Sequence, residues 1–187
     1  MKARCPWTHD DALMNEYHDC EWGVPVFDDK KHFEFLILDA FQAGLSWKTI
    51  LHRREGFRKA FAGFDVKKVS KFNEKKVEEL MQDERIIRNR LKITGTIKNA
   101  KAFIEIQKEY GSFNDYIWHF VNGKTIVNNI KDTNHIQSTS VESDAMSKDL
   151  KKRGFTFVGS TICYAYMQAA GMVNDHIVTC FRHKEVM

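Results

Sequence analysis

Apolar residues recur along this chain at the three-and-four spacing of a helical face, and polar residues fall between them where helices start and stop. Asp28 and Asp29 can cap a helix carrying Phe33, Leu36, Ile37, Ala40 and Phe41 on one face, with Gly44 suited to the stop. A second helix opens at Ser46, with Trp47, Ile50 and Leu51 on one side, and Phe57, Ala60, Phe61 and Phe64 make a short third. Asp65 then caps Val66, Val69 and Phe72, and Asn73 caps Val77, Leu80 and Met81. From Asn89 to about Tyr110 a longer helix carries Ile93, Ile97, Ala100 and Ile104, closed by Gly111 and restarted by Ser112 and Asp115. Tyr116, Ile117, Trp118 and Phe120 point inward there. Asn122-Gly123 predicts a turn, and the polar stretch from Lys124 to Ser140 predicts a surface loop with at most a short extended piece. Ser143 is expected to cap a helix ending at Gly154, and a last helix spans roughly 161–172. The pattern predicts an all-α fold forming a single unit over residues 1–187, without repeats or low-complexity linkers.

Composition narrows the class. An apolar content of 43% over 187 residues supplies a real core, and only 2 Pro and 10 Gly interrupt it, which excludes a disordered or loop-rich chain. No apolar run approaches the roughly 20 residues that span a bilayer, and the opening residues lack the apolar core of a signal peptide. A cytoplasmic protein without a membrane partner is expected. The net charge of +4 permits a polyanionic partner without demanding one. Four cysteines scattered from end to end of such a chain make a disulfide framework improbable and turn attention to metal.

Three groups of residues carry candidate chemistry. Cys5 and His18 near the start, with His176-x-x-x-Cys180 near the end, combine thiolates and imidazoles suited to tetrahedral zinc. Cys20 is a rival ligand, and on spacing alone buried cysteines with hydrogen-bonded histidines are the plainer reading. From Arg85 to Ile104 the chain holds Arg85, Arg88, Arg90, Lys92, Lys98 and Lys101 with no acidic residue, across a predicted turn between two helices. That is either a phosphate-binding arrangement or a solvated face. Trp7, Tyr17, Trp22 and Trp47 lie near segment ends, and Asp39 stands alone on a long apolar helix. Planar aromatics beside a carboxylate suit a flat cationic ligand, although aromatics more often build cores.

At these residues the chain resembles the constitutive bacterial 3-methyladenine DNA glycosylases. The resemblance rests on six blocks in register: Arg4-Cys5-x-Trp7; Tyr17-His18-Asp19-x-Glu21-Trp22-Gly23-Val24-Pro25; Gln42-Ala43-Gly44-Leu45-Ser46-Trp47; Ile86-Ile87-Arg88-x-Arg90-x-Lys92-Ile93; Lys151-Lys152-Arg153-Gly154-Phe155-x-Phe157-Val158-Gly159; and Val173-Asn174-Asp175-His176. It implies a helix-hairpin-helix glycosylase fold whose DNA-gripping turn lies around residues 86–92, with Arg88, Arg90 and Lys92 on alkylated double-stranded DNA. It also implies a structural zinc ion held by Cys5, His18, His176 and Cys180, which clips the two ends of the chain together and leaves Cys20 out. Gln42, Gly44 and Leu45 match the segment that fills the gap left by an extruded base. Tyr17, Trp22 and Trp47 match the base-pocket aromatics, with Trp7 close by, and Asp39 stands where the family usually has glutamate. The implied reaction is hydrolysis of the N-glycosidic bond of 3-methyladenine by a monomeric enzyme with no general acid or base. A zinc-stapled DNA-binding module without glycosylase activity is the alternative; a zinc hydrolase would need an open metal position.

Overall fold

The computed structural model of the chain describes residues 3–8 and 11–186. Eleven α-helices are seen in that range, with short 3-10 turns between some of them: α1 (Ala12–Cys20), α2 (Asp29–Gln42), α3 (Trp47–His52), α4 (Arg54–Ala60), α5 (Val66–Val69), α6 (Glu74–Met81), α7 (Arg90–Tyr110), α8 (Phe113–Trp118), α9 (Val141–Lys152), α10 (Ser160–Ala169) and α11 (Arg182–Glu185). Two-residue strands β1 (Ile126–Val127) and β2 (Val173–Asn174) pair in parallel, Ile126 opposite Val173. Among the described residues no helix is long and apolar enough to cross a membrane. The architecture is helical, as the periodicity predicts.

Helix starts follow the local chemistry closely. The side chains of Asp28, Ser46, Asp65, Asn73, Asn89 and Ser112 each accept the backbone N–H three residues on, satisfying a donor that has no partner inside the helix. One start differs from expectation. Ser140, not Ser143, is the N-cap of α9, and the two serines form a reciprocal box in which each hydroxyl accepts the other's backbone N–H. Asp29 likewise does not cap its own helix; its carboxylate accepts from the backbone N–H groups of Phe113 and Asn114 at 2.9 and 2.8 Å and so caps α8.

Helix α2 is the centre of the molecule. Every residue from His32 to Phe41 is buried, with α3, α7, α8 and α10 packed around it, so the single apolar face predicted for it understates its burial. Two carboxylates, Glu34 and Asp39, go inside with it. Glu34 is matched by Arg54 Nε at 2.6 Å and Arg58 Nε at 2.9 Å, and Arg54 also clasps Glu21. Asp39 has no such cation.

The last long helix stops at Ala169, three residues before the apolar pattern ends, because Gly171 turns the chain at φ +68° into β2. A Cβ at Gly171 would lie 2.3 Å from the carbonyl carbon of Val24 and 2.4 Å from Pro25 N, backbone atoms that cannot move aside. Gly171→Ala is therefore expected to cost about 3 kcal/mol or more, read as a lowered denaturation midpoint at unchanged m-value. The segment before α9 is also less superficial than its polarity predicts: Ile130 is buried, and Ile136 packs on the core.

Candidate base-binding pocket and metal centre

A cavity of about 410 Å³ opens beside the C-terminal half of α2, a volume within the range of small-molecule sites. Five parts of the chain within residues 7–48 supply most of its walls. Trp7 enters from the turn before α1, Met14 and Tyr17 from α1, Trp22 from the segment after it, Asp39 and Gln42 from α2, and Ser46 and Trp47 from the start of α3. The aromatics are set at angles to one another: Trp7 meets Trp22 edge to face at 5.0 Å between centroids, and Tyr17 tilts 45° against Trp47 at 5.0 Å. All five predicted pocket residues, Trp7, Tyr17, Trp22, Asp39 and Trp47, line this one cavity.

Three polar atoms at the cavity have no partner. The indole Nε1 of Trp7, the indole Nε1 of Trp47 and Oδ2 of Asp39 are all buried without a hydrogen bond, a condition that native interiors otherwise avoid. Burial alone drives the Asp39 carboxyl well above the ordinary carboxylate range. The residues that line the cavity thus carry two unused N–H donors and one unused carboxyl among their π faces, a set complementary in kind to a planar heteroaromatic with both acceptors and donors on its edge.

Ile136, Ala165 and Gln168 also line the cavity and were not foreseen. Ala165 and Gln168 share a face of α10 at i, i+3, a weak clue in a helix rich in small residues. Gln168 donates Nε2 to Asp175 Oδ2 at 2.8 Å, and Asp175 is held in turn by the Tyr164 hydroxyl and Asn128. Nothing in the sequence around Ile136 marks it as a pocket residue.

At the rim, α2 ends at Gln42, and Gly44 at φ +78° lets the chain reverse, with Leu45 N–H donating to Gln42 O at 2.6 Å. Leu45, between the cavity-lining residues Gln42 and Ser46 in the chain, is left 40% exposed.

The predicted basic turn lies between α6 and α7, but its charges are not free. Arg85 pairs with Asp83, Arg88 approaches Glu84 at 3.7 Å, and Arg90 pairs with Glu74 and Glu78 of α6. Lys92 departs furthest from expectation: it is buried, and its ammonium donates to the carbonyls of Phe41 and Ala43 rather than facing solvent. The acidic partners precede the basic stretch, on α6 and the turn, which is why a count within residues 85–104 shows none.

Behind Trp7 and Trp22, the four predicted ligands converge. The ligand atoms of Cys5, His18, His176 and Cys180 lie within 4.8 Å of one another, all four residues buried, and they could hold a metal ion. Cys180 Sγ is 3.4 Å from His18 Nε2 and 3.5 Å from His176 Nδ1, and Cys5 Sγ is 3.7 Å from His176 Nδ1. The remaining ring nitrogens face outer partners: His18 Nδ1 lies 2.7 Å from Asp19 Oδ1, and His176 Nε2 lies 3.0 Å from Trp22 O. A hydrogen bond from Cys5, with further ones from His176 and His18, depresses the Cys180 thiol, while Cys180 and burial raise that of Cys5. Cys20 is exposed and stands outside the group.

Residues 7–183 match the family model described as methyladenine glycosylase. The chain belongs to that family. It is 49% identical over 177 residues to "DNA-3-methyladenine glycosylase 1" of Escherichia coli, covering 95% of each chain. It is 46% identical over 180 residues to the "DNA-3-methyladenine glycosylase" of Haemophilus influenzae, covering 96% of this chain and 97% of that one. Among solved structures, the Staphylococcus aureus 3-methyladenine DNA glycosylase I, described for its recognition of 3-methyladenine, superposes with a TM-score of 0.92 at 32% identity, covering 95% of both chains.

Proposed function

We propose that this family member is a DNA-3-methyladenine glycosylase of base-excision repair, hydrolysing the N-glycosidic bond of 3-methyladenine in alkylated duplex DNA to release the base and leave an abasic site. The observation that carries this reading is the set of three unpartnered polar atoms, on Trp7, Trp47 and Asp39, around one aromatic cavity. Methylation at N3 makes the base cationic, so it leaves as a neutral molecule and needs no strong general acid. The work left to the protein is to extrude the base, desolvate it and hold it between π faces while water attacks the sugar. In this reading Asp39 accepts from the exocyclic amine and offsets the charge, and the Trp7 and Trp47 N–H groups donate to ring nitrogens. Tyr17 and Trp22 complete the aromatic walls.

On the DNA side, Leu45 is the wedge that takes the place of the extruded base, turned outward by Gly44 beside Gln42. The turn between α6 and α7 is the hairpin of a helix-hairpin-helix element, with Arg88 and Arg90 exchanging intramolecular carboxylates for phosphates. The enzyme is expected to act as a monomer, in the cytoplasm where the chromosome is. A DNA-binding module that cuts nothing would have no use for the cavity or its unpaired groups.

The Cys5, His18, His176 and Cys180 group fits zinc. With Zn–S near 2.3 Å and Zn–N near 2.05 Å, a tetrahedron has S···N edges of about 3.6 Å, which the 3.4, 3.5 and 3.7 Å separations bracket. The outer hydrogen bonds of both histidines direct the opposite nitrogen's lone pair inward. Four protein ligands leave no open position, so the role is structural. When bound, the metal supplies a cross-link, not a reactive group.

The reading is tested by incubating the protein with methylated duplex DNA and analysing the bases set free. Release of 3-methyladenine, with little 7-methylguanine and no dependence on added metal or nucleotide, is the expected result. A preparation that binds the DNA and frees no methylated base would support the binding module instead.

A further inference from the structure

Lys92 is a buried cation with no acidic partner among the described residues, and desolvation alone lowers its pKa. Its ammonium donates to Phe41 O at 2.8 Å and Ala43 O at 2.6 Å. These carbonyls belong to the end of α2, where the helix supplies no N–H partner and its dipole is negative. Between them, Gln42 O accepts the Leu45 N–H at 2.6 Å. Three consecutive carbonyls are thereby satisfied, and the turn that projects Leu45 is held from the side by a residue 47 positions further along the chain.

The other end of Lys92 is as firmly placed. It is the third residue of α7, and its backbone N–H donates to Asn89 Oδ1 at 3.1 Å, the cap that closes the preceding turn. That turn is anchored in its own right: Arg53 Nη1 donates to Glu84 O at 2.6 Å, and a Cβ on Gly56 would lie 2.5 Å from Arg85 O, so α4 lies directly against it. One side chain therefore joins the start of α7 to the rim segment of the cavity.

We infer that Lys92 is a positioning residue for base extrusion: it ties Gln42–Leu45 to the turn before α7, so that a duplex gripped by that turn meets Leu45 already in place. This rests on the proposed roles of the turn and of Leu45. Lys92 contacts neither phosphate nor base, and its effect passes through the two carbonyls.

The test compares 3-methyladenine release from duplex and from single-stranded methylated oligonucleotide by the same preparation of Lys92→Met, so that any loss of folded protein cancels in the ratio. The duplex-to-single-strand ratio is expected to fall about tenfold, with binding of free 3-methyladenine held within about twofold of the parent. The salt dependence of duplex binding stays unchanged, since no phosphate contact is lost. Lys92→Arg, which keeps donors near the carbonyls, restores part of the ratio. In a Leu45→Ala background, Lys92→Met has little further effect on the ratio, because both changes disable one device. An unchanged ratio in Lys92→Met overturns the inference, as does a salt slope reduced by about one, which marks a phosphate contact. Effects that multiply in full in the double variant also overturn it. If Leu45→Ala alone leaves the ratio intact, the wedge reading fails and takes this inference with it; if Leu45→Ala lowers the ratio and Lys92→Met does not, only the inference fails.

Discussion

Asp39→Asn is expected to slow release of 3-methyladenine from duplex DNA by about two orders of magnitude, the usual scale for removing one preorganised electrostatic group from a water-excluded site, while making the free protein no less stable. Both effects have one cause. Asp39 is enclosed, and among the described residues its Oδ2 has no donor and no cation pairs with it, in contrast to Glu34 on the same helix with its two arginines. A cationic base would supply the missing counter-charge and pull the carboxyl back toward ionisation. The amide of Asn keeps the shape and an acceptor but loses that charge.

The pH dependence of stability has a definite sign. Burial raises the folded-state pKa of Asp39 above its unfolded value, so the group contributes no penalty below about pH 4, where it is neutral in both states. Stability falls as pH rises from the unfolded toward the folded pKa, and the loss is complete above the latter. The Asn variant lacks this penalty, so its thermal midpoint should match the parent's near pH 4 and exceed it increasingly toward neutrality. Undiminished base release by Asp39→Asn would make Asp39 a structural residue. Asp39→Glu, which keeps the charge with one more methylene, is expected to retain activity.

Loss of the metal should have the second large effect. Cys5 and His176 are 171 positions apart, and closing a loop of that length removes about 5 kcal/mol of unfolded-state freedom on a chain-entropy scale. For a protein of this size the corresponding fall in thermal midpoint is about 10–20 °C. The freshly purified protein is expected to carry about one zinc per chain, and both His176→Ala and Cys5→Ser to unfold at the lower temperature with or without added zinc. Base binding should weaken as well, because Trp22 O accepts from His176 Nε2 and Trp7 lies against His18 at 5.4 Å, so pocket walls and metal ligands are neighbours. Active protein free of zinc, or variants with unaltered midpoints, would remove the site.

How much of this was legible in the chain depends on the range of the interaction. Helix starts at Asp28, Ser46, Asp65, Asn73, Asn89 and Ser112 could be read directly, because a cap joins a side chain to an N–H only three residues away and tertiary packing has little to add. The candidate metal ligands and pocket aromatics could be named from residue type and family resemblance, since soft ligands and π faces carry their chemistry with them. Their convergence on one cavity and one quartet could not be read from spacing, which leaves Cys20 as good a ligand as Cys180.

A helical chain, its capping, its apolar core and the inventory of groups able to bind a metal or a flat cationic base can all be read along the chain. Which of those groups are free to act depends on how the helices pack. Arg85, Arg88 and Arg90 are met by carboxylates that precede them on α6 and the turn, and Lys92 is withdrawn into the end of α2. Asp29 caps a distant helix, and Ile136 and Gln168 reach a cavity that nothing beside them in the chain foretells. The physical reason is that a charge or a polar atom is defined by its partner: Arg85 and Arg88 meet theirs within a few residues, whereas the partners of Lys92 and Asp29 stand tens of residues away and come within hydrogen-bonding distance only when the helices pack around α2.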